Sequence, residues 1–145
     1  MGRLKLVVIA ALLSVAIVAL VQGLSSPSRR LASSGKVKAV GVGVYWDVAC
    51  TKSVDCINWG VLEPGETRNV TLYIRNEGNV MAMLAMTTEN WSPPEVSQYL
   101  ELAWDYGGQW LAPSSVLPVT FSLHLAENVQ SVNSFSFDIV ITAVG

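Results

Sequence analysis

The 145-residue chain has one histidine, two cysteines and, from Val40 to its end, only three basic residues against eleven acids. Each scarcity closes off a class of chemistry. A lone His124 supplies no pair of imidazoles for a copper centre, and it leaves any serine or cysteine nucleophile one candidate base, with no G-x-S-x-G elbow around it. The C-x5-C spacing of Cys50 and Cys56 is not the C-x2-C of zinc or thioredoxin-like sites. Lys52, Arg68 and Arg75 are too sparse to neutralise a phosphate backbone, which excludes nucleic-acid binding. Glu101 and Asp105 are the nearest thing to a glycosidase pair, and carboxylates dispersed over an acidic surface read as solvated. The expectation is a protein that is not an enzyme and holds no metal or cofactor.

Sustained helical periodicity is also missing after residue 25; Glu95 to Tyr99 has room for one turn. Before it, residues 6 to 21, LVVIAALLSVAIVALV, are uncharged and apolar, and the run continues through Gln22 and Gly23 to Leu24 behind Arg3 and Lys5. A run of about 16 to 19 residues lies between a signal-peptide core and a bilayer span. Cleavage after Gly23 and an uncleaved anchor helix both fit, and with Arg29 and Arg30 beyond the run, flanking charge does not choose between them. Either way the remainder is exported, to the outer face of the cell membrane or to the extracellular space, with the membrane a partner through residues 6–24 if the segment is retained. Residues 1–24 are thus the signal or anchor. Residues 25–39, Ser-rich and basic, read as a linker, and residues 40–145 as the domain.

Within the domain the period is two. TRNVTLYIR sets Val70, Leu72 and Ile74 on one face. VLPVTFSLHL does the same with Leu117, Val119, Phe121, Leu123 and Leu125, FSFDIVI with Phe135, Phe137, Ile139 and Ile141, and YLELAWDY with Leu100, Leu102 and Trp104. Asn76-Glu77-Gly78-Asn79 reads as a hairpin turn into VMAMLAMTT, and Pro118 inside a strand pattern marks an edge or a bulge. Adding KVKAVGVGVYWDV, CINWGVL and a short segment near Gln109 to Leu111, the spacing predicts an all-β fold. It is a two-sheet antiparallel sandwich of immunoglobulin-like or jelly-roll kind, with about seven or eight strands following the N-terminal apolar helix.

Cys50 and Cys56 flank TKSVD between two strand-like stretches in an oxidising compartment, which predicts a disulfide across a hairpin, with free thiols the alternative. Asn69-Val70-Thr71 and Asn90-Trp91-Ser92 match the N-glycosylation acceptor pattern, Asn69 outward by strand parity and Asn90 at a loop. Trp46 and Trp104 fall in phase with core positions, whereas Trp91 and Trp110, near turns, are the candidates for stacking on a carbohydrate.

Trp59-Gly60-Val61-Leu62-Glu63-Pro64-Gly65-Glu66, then Asn69-Val70-Thr71-Leu72-Tyr73-Ile74-Arg75-Asn76-Glu77-Gly78-Asn79, resembles the "L-x-P-G-x … v-x-l-x-N-x-G-n" pattern of exported sandwich domains. The pattern is similar to that of archaeal surface proteins with one N-terminal hydrophobic segment, and more distantly to TasA-like matrix fibre proteins and archaeal bundling pilins, over residues 36 to 88. The resemblance implies a fibre in which the N-terminal segment of one subunit completes the sheet of the next. Residues 38–46 would then be a donor strand for self-association, with Val40, Val42, Val44 and Trp46 on one face and Gly41 and Gly43 on the other. The other reading makes the same stretch the first strand of its own domain. The function expected is a non-catalytic structural or adhesive protein of the cell envelope, tethered or secreted. A strand-exchanged pilus or matrix-fibre subunit and a carbohydrate-binding module are the alternatives.

Overall fold

A computed structural model describes residues 31–129 and 134–145. The expected signal or anchor, residues 1–24, lies outside them, as do the first residues of the expected linker. Among the described residues eight strands form two four-stranded sheets. Sheet A has the order β3 (Cys56–Leu62), β1 (Leu31–Val40), β8 (Ser134–Val144), β5 (Met83–Ser92). Sheet B has the order β2 (Val42–Tyr45), β4 (Thr67–Asn76), β7 (Val116–Leu125), β6 (Leu100–Trp104). The alternating residues that define the strands meet in one core, with Leu72 and Ile74 of β4, Phe121 and Leu123 of β7 and Phe137 and Ile139 of β8 all buried. A 3-10 turn, Pro94–Gln98, stands where one turn of helix was expected and buries Val96.

The largest difference from the sequence reading is at the start. Residues 31–39 are not linker but most of β1, a central strand antiparallel to β3 and parallel to β8. Its hydrophobic alternation is weak: of residues 33–40, Ser33, Gly35 and Val37 turn toward the interior, and backbone ladders hold the strand to β8 and, as far as Lys36, to β3. Gly35 is obligatory there: a Cβ would stand 2.0 Å from the Phe137 carbonyl oxygen on β8. At Gly41, in the left-handed region at φ 78°, the chain leaves sheet A and enters sheet B as β2. The expected single strand over 38–46 is therefore two strands in two sheets. Val42 and Val44 are buried as expected, but Val40 is 58% and Trp46 42% exposed, because the crossing at Gly41 and the end of β2 at Tyr45 take them out of phase.

The turn at Asn76–Asn79 likewise joins sheets rather than closing a hairpin. β4 pairs with β2 and β7, and β5 pairs with β8. Near Leu111 there is only an isolated bridge to Ala82 instead of a strand. Pro118 lies where β6 no longer accompanies β7. Thr120 exchanges bonds with Asp105 on that side, so the missing N–H of Pro118, two residues away, points to the same open edge and no ladder bond is lost.

The strand directions define two ends. At the tip lie Val40, Gly41, the 77–82 and 105–115 loops and the chain end. At the base lie Leu31, the Pro64–Gly65 turn and the 3-10 turn. Asn76 knits the tip together: buried, it donates from Nδ2 to the carbonyls of Val80 and Leu111, both at 2.9 Å, and accepts from the Gly78 amide at 2.9 Å. Along the side, Arg68 of β4 donates to the carbonyls of Trp59 (2.7 Å) and Val61 (3.1 Å), capping the free edge of β3. Gly60 makes room for it, since a Cβ there would meet Arg68 Nη1 at 2.9 Å.

Candidate functional site

The residues singled out by sequence do not converge. His124 lies exposed on β7 of sheet B, hydrogen-bonded through Nδ1 to the Thr67 hydroxyl at 2.8 Å. Cys56 opens β3 on the outer face of sheet A, facing Lys36. The two are on different sheets, so no thiol–imidazole pair forms. Among the described residues no three His, Cys, Asp or Glu side chains gather at metal-binding distance.

The disulfide expected between Cys50 and Cys56 is not formed; both are free thiols. The hairpin that would have placed them opposite each other is absent. Residues 46–55 form a loop closed by the Tyr45–Ser53 bridge, and Cys50 sits within it at φ 59°, its amide bonded to the Asp47 carbonyl inside the turn that Asp47 organises. The Asp47 carboxylate accepts the Thr51 hydroxyl and the amides of Thr51 and Lys52, and the Thr51 bond above all holds it below the ordinary carboxylate range. Two free, accessible thiols predict that a maleimide adds twice to the folded protein without reductant, faster at exposed Cys56 than at half-buried Cys50. An unlabelled intact mass two daltons light would contradict this.

A shallow groove of about 590 Å³ crosses sheet A toward the base, with Ser34, Cys56, Asn58, Ser92, Ser134 and Ser136 among its lining. It offers hydroxyls and an amide but no general base. Next to it, Lys38 of β1 reaches over β8 to Glu89 (2.8 Å) and Asp138 (3.3 Å). Asn90, half of the second glycosylation pattern, lies within β5 rather than in a loop, at φ 57°, and its amide donates to Asp138 at 2.9 Å. That bond, then Lys38, depresses the Asp138 carboxyl. Asn69 is exposed on β4 opposite Ser122. Of the two acceptor asparagines it is the one whose side chain has no hydrogen bond to displace among the described residues.

The carbohydrate candidates part company. Trp91 is not a surface ring: it stacks on Phe137 at 4.3 Å and 13° and packs against the core. Trp110 is exposed, at the opposite end. Trp104 packs against the core beside Phe121 and Tyr106, and Trp59, which the sequence left unranked, is the most deeply buried tryptophan, its Nε1 without a partner among the described residues.

A cluster that sequence reasoning missed lies on the outer face of sheet B. The Tyr45 ring folds back over Gly43, where a Cβ would meet the ring and its hydroxyl at 2.6 Å. Its hydroxyl donates to Glu77 at 2.8 Å and accepts from Arg75 at 2.9 Å, while Arg75 Nε donates to Glu77 at 2.8 Å. The glycine alternation was the available signal: Gly41 carries the crossing and Gly43 seats a ring. Arg75 first and Tyr45 second hold Glu77 below the ordinary carboxylate range, and donation to Glu77 pushes the Tyr45 hydroxyl up. A carboxylate depressed in the folded state stabilises above its unfolded value, and that contribution is lost as pH falls through the folded value. The melting temperature is therefore expected to decline below about pH 4. Glu77→Gln should flatten part of the decline; an unchanged acid limb would contradict the assignment.

The chain matches no protein-family model and no curated protein sequence. Among the described residues no helix is long and apolar enough to cross a membrane.

Proposed function

We propose that the chain is an exported, non-catalytic β-sandwich protein with a structural or adhesive role in the cell envelope, tethered through residues 6–24 or released. The observation that carries this reading is the place of β1. The strand that follows the N-terminal segment is a middle strand of sheet A, so load on a tether would enter two hydrogen-bond ladders along their length. Shear of that kind loads many bonds at once. The test is labelling of intact cells with a membrane-impermeant amine reagent. Lys36, Lys38 and Lys52 should be modified without lysis and the protein should fractionate with the envelope or the medium; modification only after lysis would refute export.

A second reading is favoured by the same strand. Of its residues 33–40, β1 buries Ser33 and Gly35 and half-buries Val37, and it is joined to the rest of the described chain only through Gly41, so its backbone ladders are equally satisfied by the sheet of another copy. Strand exchange between subunits, as in a pilus or matrix fibre, then joins the envelope role to a mechanism of assembly. Disulfide-independent multimers that survive mild detergent would support it, and a monomer at all concentrations would exclude it.

A further inference from the structure

The tip carries a contiguous apolar surface. Val40, Val80, Met81, Trp110 and Val144 are each between 47% and 63% exposed. Val40 ends β1 opposite Thr142, and Val144 stands opposite Met83. The reciprocal Ala82–Leu111 backbone bonds, 3.0 and 2.7 Å, bring the loop bearing Trp110 against the one bearing Val80 and Met81, and Gly145 lies against both of these. The two charged residues of those loops are held locally, Glu77 by Arg75 and Asp105 by the Thr120 amide.

β1 finishes at this tip and β2 begins at it in the other sheet, with Gly41 alone between them. Val42 and Val44 are buried and paired to β4, which keeps β2 at home when β1 leaves. Consecutive Cα atoms are about 3.8 Å apart, so Val40 and Val42 stay within about 7.6 Å of each other. An exchanged β1 has its Val40 at the tip of the acceptor and its Val42 at the tip of the donor. The two tips must therefore touch.

Resting on the strand-exchange reading, we infer that copies of this chain exchange β1 reciprocally, as a closed two-fold dimer joined tip to tip, the apolar tip of each covered by that of the other. A tip so occupied cannot also meet a third copy, and exchange through this hinge closes instead of growing. Five partly exposed side chains a side make a small contact, and the exchanged ladders supply the rest of the attachment.

The test uses the full chain in mild detergent with benzoylphenylalanine in place of Trp110. Irradiation is expected to give a two-copy product and nothing larger, with the adduct in residues 76–83 or 134–145 of the second copy. Val80→Asp combined with Met81→Asp should lower the yield at least tenfold. Val61→Asp, an exposed apolar position on β3 toward the base, should leave it unchanged. When 15N-labelled and unlabelled protein are combined, mixed dimers should appear only after unfolding and refolding. Immediate mixing would overturn strand exchange while leaving the tip contact standing. A ladder of higher multiples would overturn closure and point to a fibre. Adducts elsewhere, or none, would overturn the dimer outright.

Discussion

Gly35→Ala is expected to be the most damaging single-methyl change in the described chain. The new Cβ would stand 2.0 Å from the Phe137 carbonyl oxygen, and the obstacle is backbone, not the movable end of a side chain. Relief requires β1 and β8 to separate, which strains the parallel ladder on either side of Gly35, Ser34 with Ser136 and Val37 with Ile139. A cost of about 3 kcal/mol or more follows, beyond ordinary overpacking. For a domain of this size that is a fall in melting temperature of roughly 12 °C or more. Gly107→Ala is the control: its nearest obstacle would be the Gln109 side chain at 3.5 Å, and its effect should stay within about 0.5 kcal/mol. Equal melting temperatures for the two variants would show that β1 is not seated against β8 as described.

Asn76→Leu is expected to rank next. The side chain is 2% exposed and makes three hydrogen bonds, two to the carbonyls of Val80 and Leu111 and one from the Gly78 amide. Leucine removes all three and leaves the Val80 carbonyl and the Gly78 amide short of partners, while the Leu111 carbonyl keeps the Ala82 amide. Each orphaned group costs on the order of 1 kcal/mol or more, so the sum is about 2 kcal/mol or more. Both tip loops should loosen together, and thermal melting with proteolysis in the 77–82 and 105–115 segments would report it. Asn76→Asp separates hydrogen bonding from size. It keeps the acceptor for Gly78 but cannot donate once ionised, and its pKa in the folded state should rise through burial. Its stability is then best at low pH and declines as pH rises from the unfolded aspartate value, about 3.9, toward the folded one. A variant indistinguishable from the parent at neutral pH would contradict the role given to Asn76.

These two residues also show what could and could not be read from the chain. Strands held in place through their side chains were legible: CINWGVL is β3 at both ends, and the alternation of Val119, Phe121, Leu123 and Leu125 is the buried face of β7. β1 was not, because LASSGKVKAV puts a serine and a glycine where alternation would demand large apolar groups, and its stability lies in main-chain bonds that leave no mark on hydropathy. Turn chemistry around Asn76–Asn79 was visible, yet it does not say which sheet the next strand joins. The asparagine looked like a turn former and is instead a buried tie between loops far apart in sequence.

The candidate site was less legible still. Trp46 and Trp91 changed places, one leaving the core where β2 ends and the other entering it to stack on Phe137, since phase along a strand carries no information past a crossing or an irregular register. The cysteines remain apart because proximity in sequence is not cross-strand opposition. The Tyr45–Arg75–Glu77 cluster needed the register of β2 on β4, which places Gly43 opposite Arg75 and Tyr45 opposite Tyr73.

Amide hydrogen exchange along residues 31–40 tests most directly whether β1 is the keystone of sheet A. β3 flanks β1 as far as Lys36, with the Val37 amide bonded to the Asp55 carbonyl, and β8 flanks it on the other edge, so successive amides from Gly35 to Val37 should be protected without interruption, those from Lys38 to Val40 at every second residue, and all should open together with β8. The sheet-edge strand β5 should show protection at every second residue. Fast exchange throughout residues 31–40, or an alternating pattern already between Gly35 and Val37, would mean that the segment after the N-terminal apolar run is not built into the middle of the sheet. The tether and the strand-exchange readings would both lose their footing.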